Sequence, residues 1–551
     1  MIKTENLSFS YSNAKPVLKG INFEIKKGEF ILLTGPTGCG KTTFLKCLNG
    51  IIPHESSGEM CGSVYINGIE TKNSSMNELS QHAGLVFQSP DDQIFSTVVE
   101  DEVAFGPENL LLTKEEIEKR IGYSLKAVGM LEHRHSATNA LSGGQKQRIC
   151  IASVLAMLPS VLLLDEPISQ MDPKGADEVL RVIKKLNSEL DLTIVMVEHR
   201  IHEAAHLVDR IIIMNEGEIV LSEPQKKAFK NVELFHKLGL RLPETVELFH
   251  RLGIDGVPLT VEETVGKIHI QKMHIQQIQR NNDHNSPIID RSNPAISVKN
   301  VWYGYEKDSV VLKGINLEIG KGERVALMGN NGSGKSTLLL HFAAMLKPQK
   351  GEVKILGKNT GSTSPYTFAG KVGIVFQNPD LMLFCDTVKD EVSFGPHNLG
   401  YSKEEINSNV SKALKAMTIE ALSDDAPHAL SKGQRLRAAV ASILSSTPEL
   451  LLLDEPTTGQ DKVHIEEMMK HFLDSKKTLV FCTHDIENAI KFSTRVIIMN
   501  QGNIIADGNP RKVFLDKELL EQASLKQPPV LHISQELGFA AFSIDEFLEA
   551  L

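Results

Sequence analysis

Two glycine-rich runs, each closing on a lysine and hydroxyl residues, carry the clearest chemistry in this chain. They are Gly35-Pro36-Thr37-Gly38-Cys39-Gly40-Lys41-Thr42-Thr43 and Gly329-Asn330-Asn331-Gly332-Ser333-Gly334-Lys335-Ser336-Thr337. Both fit the pattern of a phosphate-cradling loop. Glycines let the backbone bend so that successive N–H groups face one anion. A following helix adds the positive end of its dipole. Lys41 and Lys335 are expected to reach the β- and γ-phosphates of a nucleotide, and Thr42 and Ser336 to ligate Mg²⁺. Cys39 reads as small filler inside its loop. One such run could be a simple turn, but two, each between an apolar run and a helix, are not explained that way.

A pair of acids closes each of two other apolar runs, Asp165-Glu166 and Asp454-Glu455. A carboxylate at the end of a buried strand needs a partner, and Asp165 and Asp454 find one in Mg²⁺. Side chains alternate along a strand, so Glu166 and Glu455 point elsewhere. Each is suited to orienting or deprotonating a water that attacks the γ-phosphate. His199 and His484 close a further apolar run in each half, where they could meet that phosphate. Gln88 and Gln377 close LVFQ and IVFQ, where an amide can touch Mg²⁺ or the attacking water. Tyr11 and Tyr305 precede the loops at matching distances. Each could stack its ring on a nucleobase, or be an ordinary core or surface tyrosine. Ser142-Gly143-Gly144-Gln145 and Ser431-Lys432-Gly433-Gln434 precede apolar helical stretches. Serine is a good N-cap, so each is a second anion-attracting helix start.

The elements that must hold these residues follow from the apolar runs. FILLTG and RVALMG read as buried strands leading into loop and helix, and VLLLDEP and ELLLLDEP as parallel strands covered on both faces. Helical stretches such as 175–190 lie between them, so the halves read as α/β with right-handed crossovers. Ligands then gather at the carboxyl ends of the strands. SVYINGIE suggests a small antiparallel part, and residues 98–140 look helical. The motifs recur in the same order in both halves, which makes the chain a duplicated domain. The boundaries read as 1–240 for the first domain, 241–294 for a linker, 295–520 for the second domain and 521–551 for an unassigned tail. The stretch HIQKMHIQQIQRNNDHNSPIIDRSNP is read as a tether, with a docking strap as the alternative.

Composition limits the classes of function. Of 551 residues 41% are hydrophobic and 23% charged, as in ordinary globular chains. A formal net charge of −10 disfavours a general nucleic-acid binder. The six cysteines form no Cys-x-x-Cys pair, so neither a zinc site nor a disulfide framework is expected, and a reducing cytosol fits. The start MIKTENLSFSYS has no signal-peptide core, and no run of about 18 apolar residues could span a bilayer. A role at a membrane would be peripheral.

Loop, glutamine, LSGGQ or LSKGQ, acid pair and histidine, in that order, resemble the ATP-binding cassette family over residues 1–225 and 295–510. The resemblance implies two P-loop ATPase domains, each a RecA-like parallel-sheet core with an antiparallel β subdomain and a helical subdomain. ATP and Mg²⁺ are the implied ligands. It also implies that two cassettes pair, here within one chain, with Lys41, Gln88, Glu166 and His199 facing Ser431, Gly433 and Gln434. Lys335, Gln377, Glu455 and His484 would face Ser142, Gly143, Gly144 and Gln145. Fusion would raise the effective concentration of the pair. Lys432 departs from the family's glycine: it either points outward or makes the two ATP sites differ in rate. FQSPDDQIF with EDEVAFGPENL, and FQNPD with KDEVSFGPHNL, look like energy-coupling factor importers, which take up vitamins, vitamin precursors or trace metals. That resemblance implies a membrane scaffold subunit and a separate substrate-binding membrane subunit, with this chain on the cytoplasmic face of the cell membrane. The rival is a tandem cassette acting on ribosomes or nucleic acid. Such relatives carry a highly charged helical linker or zinc-binding cysteines, neither of which occurs here.

Overall fold

The apolar runs that end in glycine loops, acids and histidines become the central strands of two parallel sheets. The protein is described here from a computed structural model that covers residues 1–12, 15–169, 171–270, 293–306, 309–456, 462–474 and 477–551. The chain divides into two compact units, Met1–Ile268 and His269–Leu551.

In the first unit the main sheet runs, edge to edge, Ala83–Val86, Val161–Asp165, Thr193–Val197, Phe30–Thr34, Arg210–Asn215 and Glu218–Pro224. All neighbours are parallel except the last pair. The second unit repeats this order with Val372–Val375, Leu450–Leu453, Thr478–Cys482, Arg324–Met328, Arg495–Asn500 and Asn503–Gly508. A smaller antiparallel sheet accompanies each: Leu18–Ile25, Ile2–Tyr11, Gly58–Ile66 and Ile69–Glu70 in one, and Ser309–Ile319, Ile296–Glu306, Lys350–Ile355 and Lys358–Asn359 in the other.

The period of two explains why the central strands have no polar face. In the first unit Phe30, Leu32, Leu162, Leu164, Ile194 and Met196 enter a core shared with the helices. The alternate residues Ile31, Leu33, Val161, Leu163, Val195 and Val197 enter a core shared with the antiparallel sheet. Both faces are therefore buried, and only the strand ends are free for chemistry. The helical part of each unit contains Val99–Asn109, Lys114–Ala127 and Gly143–Leu155, matched by Val388–Asn398, Lys403–Ala416 and Lys432–Leu444.

The segments after each domain are folded. The part of the expected linker before residue 271 holds helices Glu244–Arg251 and Val261–Ile270, and Leu242, Val246 and Val257 join the first unit's core. The tail is likewise structured, with helices Pro529–Glu536 and Ile544–Glu549 and with Leu531 and Phe542 in the second unit's core. The two extensions correspond. Each first helix is entered from a proline, Pro243 or Pro528, and left through a left-handed glycine, Gly253 (φ 66°) or Gly538 (φ 90°). Each next helix starts on a hydroxyl residue, Thr260 or Ser543, that accepts from the backbone N–H of Glu263 or Glu546. The rest of the expected linker, 271–292, lies outside the described residues.

Burial makes the first extension testable. Phe249 has no exposed surface, and Lys267 lies 5.8 Å from its ring. Phe249→Ala is expected to destabilise the first unit by about 3–5 kcal/mol through the cavity it leaves. Urea unfolding of the whole chain reads this as an earlier first transition. A mere tether would shift by no more than about 0.5 kcal/mol.

Candidate functional site

Both glycine-rich loops sit at the carboxyl end of a central strand and run into a helix, Lys41–Leu48 or Lys335–Phe342. Their bends need glycine. Gly35 has φ 153° and a Cβ there would lie 2.1 Å from the Met214 carbonyl oxygen; Gly329 has φ 138° and the same clash with Met499. Gly38, Gly40, Gly332 and Gly334 are also left-handed. The lysines cross the loop mouths. Lys41 Nζ donates to the carbonyls of Gly35 and Pro36, each at 2.9 Å, and Lys335 Nζ to those of Gly329 and Asn330 at 2.8 and 2.9 Å. Cys39 Sγ lies 3.8 Å from Lys41 Nζ, is buried, and has its thiol pushed up by that burial, as suits filler. Asn331 and Thr37 are exposed on the loop backs.

The tyrosines fall at the rim of these loops. Tyr11 Oη lies 3.2 Å from Thr43 Oγ1 and Tyr305 Oη 3.2 Å from Thr337 Oγ1. The hydroxyls thus stand beside the first turn of the loop helix; Tyr11 also packs against the core and edge-on to Phe9, whereas Tyr305 is exposed.

The acids gather at the neighbouring strand ends. Asp165 and Asp454 are buried and hydrogen-bonded to Thr42 and Ser336 respectively. Burial pushes the Asp165 carboxyl up to about 6, with the Thr42 hydroxyl pulling it down; Asp454 is raised in the same way. In each of them Oδ1 is buried with no hydrogen-bond partner. A hard cation that takes oxygen ligands fits such an orphaned carboxylate oxygen beside a hydroxyl. Thr42, Asp165 and Gln88, and Ser336, Asp454 and Gln377, are the residues that would hold Mg²⁺. When bound, Mg²⁺ neutralises charge on the β- and γ-phosphates.

Glu166 and Glu455 follow with left-handed backbones, φ 48° and 49°. This sharp turn after the strand swings each carboxylate away from the aspartate. Glu166 Oε1 lies 3.1 Å from His199 Nε2, and its Oε2 accepts from Gln88 Nε2 at 2.6 Å. Glu455 Oε1 lies 2.8 Å from His484 Nε2. Gln377 is exposed at its strand end. The expected glutamine, glutamate and histidine thus meet in the first unit, and the glutamate and histidine in the second. Such a carboxylate, fixed by neighbours and half a strand turn from the cation ligand, is placed to take a proton from water.

The signature turns are helix N-caps. Ser142 accepts from Gln145 N at 3.3 Å while Gln145 Oε1 accepts from Ser142 N at 2.9 Å; Ser431 and Gln434 do the same at 3.4 and 2.9 Å. Gly143 is exposed, Gly144 half-buried, Gly433 buried, and Lys432 begins its helix half-buried.

Three features escaped the sequence reading. Glu102 and Glu391 are buried and cap a loop rather than the surface. Glu102 Oε2 accepts from Phe95 N and Ser96 N at 3.1 and 2.9 Å, and Glu391 Oε2 from Phe384 N and Cys385 N at 2.8 and 2.9 Å. Their matching places in EDEVAFGPENL and KDEVSFGPHNL were the available signal. Phe95 and Phe105, 4.3 Å apart between ring centres, and Phe384 and Phe394, 4.8 Å apart, form two exposed aromatic pairs, one ring of each on the loop that the acid holds and the other on the acid's own helix. Glu198, beside His199, is fully buried; burial and the Glu166 charge push its carboxyl up to about 8.

Two P-loop nucleotide sites, each with its own acid pair, glutamine, histidine and signature turn, define a tandem ATPase of the cassette class. Residues 18–169 and 312–458 each match the family described as ABC transporter. The chain belongs to that family, as an ATP-binding ABC transporter ATPase with two repeated ATPase domains. A protein of Methanosarcina mazei named an ABC transporter ATP-binding protein is 56% identical over 100% of this chain and 96% of its own length. Another so named, from Caldanaerobacter subterraneus, is 40% identical over 99% of this chain and 98% of its own. The solved structure of CbiO1 from Clostridium perfringens, described as part of the ABC transporter complex CbiONQ, is 36% identical. It covers 44% of this chain and 99% of its own, with a TM-score of 0.39. Among the described residues no helix is long and apolar enough to cross a membrane.

Proposed function

We propose that this protein is the ATP-hydrolysing subunit of an energy-coupling factor importer for a vitamin, a vitamin precursor or a trace metal. Its partners are then a transmembrane scaffold subunit and a separate substrate-binding membrane subunit, and it works on the cytoplasmic face of the cell membrane. In this reading Glu166 and Glu455 activate water, and His199, His484, Gln88 and Gln377 sense the γ-phosphate. Each unit's signature turn completes the other unit's nucleotide site, for which the support is the recurrence of every motif in both copies, with Lys432 the one departure within the signatures.

The observation that carries the membrane partner is the repeated aromatic pair beside the sensing glutamine. Large apolar side chains exposed at the same place in both copies are a cost in water unless something covers them. In this reading the EDEVAFGPENL and KDEVSFGPHNL segments build that patch. Their glutamates grip the loop that carries Phe95 or Phe384, their own Phe105 or Phe394 completes the pair, and their glycines allow close approach to the turn that follows a neighbouring helix. A Cβ at Gly106 would lie 2.5 Å from Met157 Sδ, and at Gly395 2.5 Å from Ser446 Oγ. An apolar cytoplasmic helix of a membrane scaffold is the occupant that suits two such rigid patches.

Phe105→Asp combined with Phe394→Asp tests this. Purified from detergent-solubilised membranes, the variant is expected to lose its hydrophobic partner subunits while keeping ATP affinity within about twofold, since neither side chain belongs to the nucleotide site. Unchanged co-purification of membrane subunits would remove the aromatic pairs as the docking surface. Recovery of ribosomes or nucleic acid instead of membrane proteins with the unaltered chain would favour the rival cassette class.

A further inference from the structure

The two nucleotide sites differ beside the histidine. The first unit reads Val197-Glu198-His199-Arg200 and the second Cys482-Thr483-His484-Asp485. Glu198 Oε1 accepts from Ile168 N at 3.0 Å, and its Oε2 accepts from His199 N and Arg200 N at 3.1 and 3.4 Å. Arg200 Nη1 donates to the carbonyls of Ile168 and Met171, both at 2.9 Å, and the guanidinium is steadied by Glu203. The Ile168 peptide is thus gripped from both ends, its N–H by an acid and its C=O by a base. Ile168 lies two residues after Glu166, in the loop that leads to the cap Asp172 of helix Pro173–Leu190. In the second unit Thr483 Oγ1 accepts from Asp485 N at 3.1 Å, and Asp485 caps its own helix through Asn488 N. Neither threonine nor aspartate can offer a guanidinium fork or a carboxylate of that reach.

We propose that Glu198 and Arg200 are positioning residues for the first ATP site. They latch the loop after Glu166 to the turn that carries His199, so that carboxylate and histidine are held in register for hydrolysis at that site. Three backbone N–H groups converge on the two oxygens of one carboxyl group, an arrangement an isosteric amide cannot satisfy, because an amide nitrogen accepts no hydrogen bond. None of the latch's hydrogen bonds named above, among the described residues, goes to a glycine-rich loop. The latch therefore acts on the rate of hydrolysis and not on nucleotide affinity. It rests on Glu166 being the water-activating group.

The test uses the full-length chain with one site silenced and reads single-turnover hydrolysis and ATP affinity separately. In a Glu455→Gln background, Glu198→Gln and Arg200→Asp are each expected to slow hydrolysis at the first site at least tenfold, with the Kd for ATP within about twofold. Arg200→Lys, whose amine can still donate to both carbonyls, is expected to stay within about threefold of its parent. In a Glu166→Gln background the same substitutions should leave the second site within about twofold. Arg200→Asp, on a part-exposed side chain, decides the matter if Glu198→Gln lowers the melting temperature. Equal slowing in both backgrounds, a loss confined to Kd, or unchanged rates would overturn the latch. Full first-site hydrolysis after Glu166→Gln alone would overturn the role of Glu166 and the latch with it. Unchanged rates after Glu198→Gln and Arg200→Asp, with Glu166→Gln inactive, would overturn the latch alone.

Discussion

Glu166→Gln and Glu455→Gln, made singly, are each expected to cut ATP turnover sharply and to leave ATP trapped on the protein. The substitution keeps size and hydrogen-bond reach but removes the group that can accept a proton. Losing a positioned general base costs about 10²- to 10⁴-fold at the affected site. Glu166 is held from two sides, by Gln88 and by His199, and an amide keeps a hydrogen bond to each once Gln88 turns its own amide to present its oxygen. The loss is therefore chemical and not a collapse of the site, and thermal stability should change little. The measurement is phosphate release together with radiolabelled nucleotide retained through gel filtration. Wild-type turnover in both variants would dismiss the two carboxylates as the water-activating groups.

Lys41→Ala is expected to remove one of two nucleotide sites, and Lys335→Ala the other. Each lysine is 6% exposed, so its charge is set inside the loop, where a phosphate replaces the carbonyls it now meets. Removing one member of a buried, hydrogen-bonded charge pair costs about 2–5 kcal/mol, which is roughly 30- to several thousand-fold in Kd. The loop itself should survive, because its bends come from glycine φ angles and not from the lysine. Calorimetric titration with a non-hydrolysable ATP analogue should fall from two tight sites to one in either variant. Two sites of unchanged affinity after either substitution would show that the glycine-rich loops do not hold the phosphates.

The order of the motifs made the sheets and the strand-end chemistry legible, because both depend on short-range signals. A run such as VLLLDE states its own burial and its own acids. The contact of Glu166 with Gln88 and His199 could be anticipated as well, since three strand ends of one parallel sheet must lie side by side. The asymmetry around Glu198 was harder to see. A glutamate before a histidine looks like surface charge until Ile168, brought in from another loop, is found donating to it. Glu102 and Glu391 were hidden for the same reason: an acid in the first turn of a helix reads as dipole matching, and only the fold shows the N–H groups of Phe95 and Phe384 above it. The extensions at 241–268 and 521–551 were missed because their helices are short and their sequences have diverged. What the two share is a proline, a glycine and a hydroxyl cap, too sparse a pattern to register as a repeat.

That shared pattern bears on how the chain came to be. The two copies correspond in their ATPase cores and in their appended helices, the pattern that duplication of the whole unit would leave. A break beyond residue 270 would leave helix Val261–Ile270 whole with the first unit, whereas one at residue 240 would tear Val246 and Val257 from the interior they help fill. Splitting this gene for separate expression should follow the first seam.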